Sequence, residues 1–336
     1  MNDQASESGS MMKIAILDDY QRAALSMADW CGLRPHCDIT TFNDPMRSID
    51  HASELLHDFN VVCAMRERMA FPGELIRRLP NLRLLCTTGT RNSFIDLGAA
   101  TERSVLVCHT HSADTEFPTS ELTWALILAC LRNLPLEDRR IRAGEWQTTI
   151  GQTLHGKTLG LVGLGRIGTR VGRIANAFGM NVQAWSPNLT PDRARSENVT
   201  YVNKHELFRT SDVVSLHLVL SDQTRGIVGK AEFGLMRRTA IIVNTSRGPL
   251  IDEPALISAL ASCSIGGAAL DVFDQEPLAA DHPLLSFDRV VLSPHIGYVT
   301  RESYRTFFRD TVENIQAFLR GRPIRLLNPS AQSMSA

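Results

Sequence analysis

Near the middle of the chain an apolar run breaks into Gly-x-Gly-x-x-Gly, and this constrains the fold more than any other feature. The residues are Leu159-Gly160-Leu161-Val162-Gly163-Leu164-Gly165-Arg166-Ile167-Gly168. Residues 159–162 read as a buried strand. Residues 169–178 read as a helix with Val171, Ile174, Ala175 and Phe178 on one face. Each glycine has its own job. Gly163 permits the tight turn out of the strand, Gly165 lets bare backbone approach a pyrophosphate, and Gly168 lets the helix pack close to the sheet. The first N–H groups of that helix have no partner inside it, and the helix dipole favours an anion there. A strand, glycine turn and helix in this order predict a bound dinucleotide.

The rest of the chain repeats the alternation. Short apolar strands are expected at 13–17, 61–65, 82–86 and 105–108. A second series follows at 159–162, 181–185, 212–216, 240–244, 267–271 and 290–293. Helical segments between them, such as 253–261, imply parallel strands with crossover helices and hence two doubly wound α/β units. Residues 119–134 read as one long apolar helix bounded by Pro118 and Pro135, placed where a connection between the units is expected. Another helix is expected at 311–319, before Gly321 and Pro323, with a frayed tail after Asn328.

With 336 residues there is material for two ordinary cores, and a net charge of −1 points to neither nucleic acid nor a membrane surface. The longest apolar stretch, 122–131, is too short to span a bilayer. The seven cysteines form no C-x-x-C pair and sit mostly in apolar runs, which reads as buried thiols in a reducing, cytoplasmic setting. The first ten residues are polar and lack the apolar core of a signal peptide, so a disordered leader is expected.

Three segments lie just past predicted strand ends, where open α/β sheets bind ligands. They are Asn244-Thr245-Ser246-Arg247-Gly248, Asp271-Val272-Phe273-Asp274-Gln275-Glu276-Pro277 and Ser293-Pro294-His295-Ile296-Gly297. Taken singly, Arg247 reads as a surface cation, Glu276 as a turn acid and His295 as a satisfied loop histidine. Together, behind one dinucleotide fingerprint, they form a set with chemistry.

These motifs, with Ser211-Asp212-Val213-Val214-Ser215-Leu216-His217 between them, closely resemble the signatures of the NAD(P)-dependent D-isomer-specific 2-hydroxyacid dehydrogenases, the family of phosphoglycerate dehydrogenase and the hydroxypyruvate and glyoxylate reductases. The likeness runs from about residue 13 to 328. It implies an NAD(P)-binding Rossmann domain, 113–300, inserted into a discontinuous flavodoxin-like substrate domain, 13–112 plus 301–328. Residues 1–12 would be a leader and 329–336 a tail. It also implies a small 2-keto or 2-hydroxy acid substrate, NAD(H) or NADP(H), no metal, and a homodimer through the cofactor domain with 136–150 as its arm. A hinge is expected near 113–118 and 297–301.

Carried over residue by residue, the resemblance makes Arg247 the carboxylate anchor, His295 the proton donor and Glu276 its partner, favouring the imidazolium. The cofactor contacts would be Gly163, Gly165, Arg166, Ile167, Gly168, Ser186, Asn188, His217, Thr245, Ser246, Asp271, Gly297 and Thr119. Substrate contacts would add Met65, Arg66, Thr88 and Gly89. For His217, support of its loop is an equal alternative. Arg66 and Arg68 either meet a second anionic group on the substrate or are exposed cations partnered by Glu67.

The chain departs from the family at Ser186, where NAD enzymes place an acid against the adenosine ribose. Without that carboxylate a 2′-phosphate is not repelled, so NADP(H) is allowed and slightly favoured, with Arg193 and Arg195 nearby. Val219 stands where many members have proline. The competing class is a non-enzymatic, dinucleotide-sensing corepressor of the same fold, although the chain has no basic region or long interaction tail. Formate dehydrogenases carry glutamine at the position of Glu276 and phosphite dehydrogenases carry lysine at that of Thr88, which sets both apart. No H-x-x-x-H pair, Cys/His cluster or Gly-x-Ser-x-Gly supports metal-dependent or hydrolytic chemistry.

Overall fold

The computed structural model describes residues 11–112 and 116–334. Most of the expected leader, residues 113–115 of the expected hinge, and the last two residues lie outside the described residues. The chain divides into two compact units, Met1–Ala113 with Thr300–Ala336, and Asp114–Val299.

The first unit is built on five parallel strands: β1 (Met12–Ile16), β2 (Cys37–Thr41), β3 (Val61–Ala64), β4 (Leu84–Thr87) and β5 (Leu106–His109). Their order, β2-β1-β3-β4-β5, is that of flavodoxin-like folds. β3 and β4 are buried along their whole length, which is why they read as unbroken apolar runs. Ala15, Val62, Leu85 and Val107 pack with Leu56, Leu75, Ile76 and Leu79 from the crossover segments. The mixed, edge-lying strand β2 was not expected from the sequence; only Cys37 in it is buried. The helix Arg301–Leu319 starts well before the expected 311, because Thr300 caps it by accepting from Ser303 N. The expected frayed tail is instead a 3-10 segment, Pro329–Met334. Asn328 anchors it by accepting from Val107 N and donating to Val105 O and Thr101 Oγ1.

The second unit carries seven parallel strands: β6 (Thr158–Val162), β7 (Asn181–Trp185), β8 (Thr200–Tyr201), β9 (Val213–Leu216), β10 (Ile241–Asn244), β11 (Gly267–Leu270) and β12 (Val290–Leu292). The order is β12-β11-β10-β9-β6-β7-β8, a Rossmann arrangement whose winding reverses between β6 and β9. Ligands bind at the carboxyl ends of strands flanking such a switch point. Two apolar layers cover the sheet, one around Leu159, Leu161, Val213 and Val243, the other around Val162, Val214, Leu216 and Ile242. The single helix expected at 119–134 is two helices, Glu116–Leu131 and Leu134–Arg142. Asn133 is left-handed (φ 52°) and breaks the path. Pro135 therefore opens the second helix, in the first turn where its missing N–H costs nothing, and does not close the first.

Among the described residues the cysteines are free thiols. Cys37, Cys63, Cys86 and Cys108 are buried, whereas Cys31 and Cys263 are exposed against expectation. No helix among the described residues is long and apolar enough to cross a membrane.

Candidate active site

The glycine turn joins β6 to the helix Arg166–Ala177, which starts directly after Gly165 and not at 169. Gly163 has φ +109°, and a Cβ there would lie 2.6 Å from His217 O, so only glycine fits. A Cβ on Gly168 would strike the carbonyl of Gly163. Gly165 is different: a Cβ on it meets nothing within 4 Å. The space in front of it is open, and no side chain caps the helix behind it. Bare backbone, an uncapped helix N-terminus and open space together fit a pyrophosphate held by the N–H groups of Arg166 and Ile167. The Arg166 guanidinium is exposed, 3.9 Å from the Glu116 carboxylate.

At the end of β7, Ser186 and Asn188 form a turn closed by Leu189 N on Ser186 O. The two arginines that follow are engaged on their own helix, Arg193 with Glu197 at 3.3 Å and Arg195 with Asp192 at 3.0 Å. At the end of β9, His217 Nε2 lies 2.9 Å from Ser215 Oγ while Nδ1 is enclosed without a partner. Burial pushes its pKa down to about 3, so the ring beneath the glycine turn is neutral.

The loop after β10 presents Arg247. Thr245 Oγ1 meets Thr123 Oγ1 at 2.8 Å, and Ser246 Oγ donates to Leu216 O at 2.8 Å. Arg247 Nη1 donates to Ser246 O at 2.7 Å.

The loops after β11 and β12 bring the acid and the histidine together. His295 Nδ1 lies 2.6 Å from Glu276 Oε2, and Glu276 Oε1 accepts from Phe273 N at 2.9 Å. Burial raises the glutamate's pKa, but the bond and charge of His295, the Phe273 N–H and the Arg247 charge outweigh it, so the carboxyl ends below its usual range. His295 itself is left-handed, φ 53°. Asp271 holds the backbone around it, accepting from Ser293 Oγ (2.5 Å), Ile296 N (2.9 Å) and Gly297 N (2.9 Å). Burial nevertheless keeps the Asp271 pKa raised. Thr119 Oγ1 donates to Gly297 O at 3.2 Å. Thr123, Asn244 and Ser293 were not singled out as site residues in the sequence. A polar side chain at the end of an apolar strand, as in Asn244, was the available signal.

In the first unit the two loops singled out by resemblance are stitched to each other. Arg66 N donates to Thr88 Oγ1 at 2.9 Å, Asn92 Nδ2 donates to Arg66 O at 2.6 Å, and Thr88 Oγ1 donates to Met65 Sδ at 3.3 Å. Gly89 N is already bound to Thr110 Oγ1 at 2.8 Å. Arg66 is not an exposed cation: its side chain is mostly buried and pairs with Glu67 at 3.6 Å. Arg68 donates to Asp18 O at 2.6 Å and lies over the Tyr20 ring, which gives it structural partners inside this unit.

A Rossmann sheet with an uncapped glycine turn and a histidine–carboxylate pair past its strand ends defines a dinucleotide-dependent oxidoreductase. The family model for "D-isomer specific 2-hydroxyacid dehydrogenase, NAD binding domain" matches residues 124–297. The chain is 40% identical over 265 residues to a glyoxylate reductase of Aeropyrum pernix, covering 76% of this chain and 79% of that one. It is 31% identical over 326 residues to a hydroxypyruvate reductase of Blautia hydrogenotrophica, covering 94% of this chain and all of the other. The crystal structure of a phosphoglycerate oxidoreductase from Vibrio cholerae superposes with TM-score 0.87 at 37% identity, over 92% of this chain and 99% of that one. The chain belongs to the D-isomer specific 2-hydroxyacid dehydrogenases and is an NAD(P)-dependent oxidoreductase of that family. Among the described residues no group of three or more His, Cys, Asp or Glu could hold a metal ion.

Proposed function

We propose that the protein reduces a small 2-keto acid to the D-2-hydroxy acid, or catalyses the reverse oxidation, with His295 and Glu276 as proton relay and Arg247 as carboxylate anchor. The 2.6 Å contact between His295 Nδ1 and Glu276 carries this reading. An ionised carboxylate only accepts, so Nδ1–H donates to it and Nε2 is the nitrogen left for the substrate oxygen. In reduction Nε2 gives its proton to the ketone oxygen; in oxidation it takes the hydroxyl proton. The Arg247 fork binds the carboxylate through two charge-assisted hydrogen bonds and polarises the neighbouring carbonyl. A nicotinamide bound on the Thr119, Thr245 and Gly297 side would supply or accept the hydride.

Gly163, Gly165, Arg166, Ile167 and Gly168 would hold the pyrophosphate, and Ser186 and Asn188 the adenosine ribose. Thr119, Thr245, Ser246, Asp271 and Gly297 would serve the nicotinamide side. His217, neutral and enclosed, supports the glycine turn by packing. Met65, Arg66, Thr88 and Gly89 would meet the substrate by resemblance; the Gly89 N–H is held by Thr110 and its α-carbon lies under the Arg66 guanidinium, which leaves its carbonyl as the means. With Ser186 in place of an acid, NADPH is accepted at least as well as NADH. Dissociation constants for the two, read from nicotinamide fluorescence, test that point, and a strong NADH preference contradicts it.

The second unit exposes Leu134, Ile141, Trp146 (75%) and Ile150 (97%) on and after the helix Leu134–Arg142. That apolar arm suits a homodimer through the cofactor unit, checked by light scattering of the wild type and Trp146→Glu. The free thiols suit the cytoplasm. Glyoxylate and hydroxypyruvate head the panel of 2-keto acids to assay with NADH and NADPH. Turnover of at least one supports the proposal; cofactor binding without any turnover favours a dinucleotide sensor.

A further inference from the structure

We infer that Asn244 is a positioning residue for Arg247 and so sets how firmly the substrate carboxylate is held; this rests on Arg247 being the carboxylate anchor. Asn244 closes β10, a strand otherwise made of Ile241, Ile242 and Val243 and buried throughout. An amide at that place costs free energy unless both of its ends are satisfied. Both are. Oδ1 accepts from Ser246 N at 3.0 Å, and Nδ2 donates to Arg247 O at 2.8 Å. The chain from 244 to 247 is therefore wrapped around its own side-chain amide, an Asx turn with a second clamp one residue on.

The clamp meets a second constraint from the other side. Leu250 N also donates to Arg247 O, at 3.2 Å, as the turn Gly248–Leu250 begins. Gly248 lies so close to the peptide joining Phe273 and Asp274 that no Cβ fits between them. The N–H of Phe273 in turn binds Glu276. The root of the arginine is thus fixed between the Asn244 amide and the loop that carries the histidine's carboxylate partner. Asp271 N donates to Asn244 O at 2.9 Å, so the main chain at the strand end is tied independently of the side chain. Changing the amide should therefore loosen Arg247 without freeing the strand.

Two substitutions separate the clamp from plain packing. Asn244→Asp has the same shape and still accepts from Ser246 N, but turns an oxygen toward Arg247 O. Asn244→Ser keeps an acceptor for the turn and leaves Arg247 O with Leu250 N alone. Both are measured beside Arg247→Lys, with the 2-keto acid of the panel that the wild type turns over fastest. In both Asn244 variants the KM for the keto acid should rise about tenfold, the effect of one buried hydrogen bond lost, while kcat falls less than about threefold. The NADH dissociation constant should stay at its wild-type value, and Tm should fall only by the few degrees that one buried hydrogen bond accounts for. Unchanged KM in both variants overturns the inference. So does a KM rise accompanied by a matching loss of NADH affinity, which would make Asn244 an ordinary stabiliser of the strand end. If Arg247→Lys leaves KM untouched, the anchor assignment fails and the inference falls with it. If Arg247→Lys raises KM and the Asn244 variants do not, the positioning role alone fails.

Discussion

His295 Nδ1 and Glu276 Oε2 are 2.6 Å apart, and the glutamate's carboxyl lies below its ordinary range: burial alone would raise it, but the histidine's bond and charge prevail. Glu276→Gln keeps an acceptor for Nδ1 and removes the charge. Its kcat for keto-acid reduction at neutral pH should fall roughly tenfold or more, while the NADH dissociation constant stays at its wild-type value. A wild-type kcat would separate Glu276 from the proton relay.

Arg247 offers two charge-assisted hydrogen bonds, each worth about 1.5–3 kcal/mol. Arg247→Ala should therefore lower kcat/KM for the keto acid by roughly 10²–10⁴, mostly through KM, while NADH still binds. A loss confined to NADH affinity would move the arginine's role to the cofactor.

The two nearest glycines of the turn should fail in different ways. Gly165 has room for a side chain and an ordinary φ of −83°, so Gly165→Val folds normally but fills the space meant for phosphate. Its Tm stays near wild type and its dinucleotide affinity falls by at least about tenfold. Gly163→Val combines a left-handed φ with contact against His217 O, so it lowers Tm by several degrees. Equal behaviour of the two in thermal melts would contradict the assigned geometry.

His217 makes acid the weak side of this unit. The folded ring stays neutral until about pH 3, whereas an unfolded histidine takes a proton near 6.5. The unfolded state thus binds the extra proton between those values, so the contribution is whole above about 6.5 and is lost as pH falls toward 3. In His217→Gln, Tm should decline less steeply over that window than in the wild type. Parallel declines would show that the ring is protonated in the folded protein.

The winding of the two sheets was legible in the sequence because fully buried parallel strands read as short apolar runs between helical stretches. The glycine turn, Arg247, Glu276 and His295 were legible because each stands just past such a run. Boundaries were less so. Pro135 looks the same as a stop or a start, and only the left-handed Asn133 decides between them. β2 hides because an edge strand needs no apolar alternation. The supporting hydrogen bonds were invisible for a different reason. Asp271 reaches Ser293, Ile296 and Gly297 only because β11 and β12 are neighbours, and Thr123 reaches Thr245 from a separate helix. Such pairings depend on which strands adjoin.

The most direct measurement is single-turnover oxidation of enzyme-bound NADH or NADPH by the preferred 2-keto acid, in the wild type and in His295→Ala. With His295 as the proton donor at Nε2, the variant binds the cofactor with wild-type affinity but oxidises it about 10²–10⁴-fold more slowly. Oxidation by His295→Ala at the wild-type rate would contradict the account.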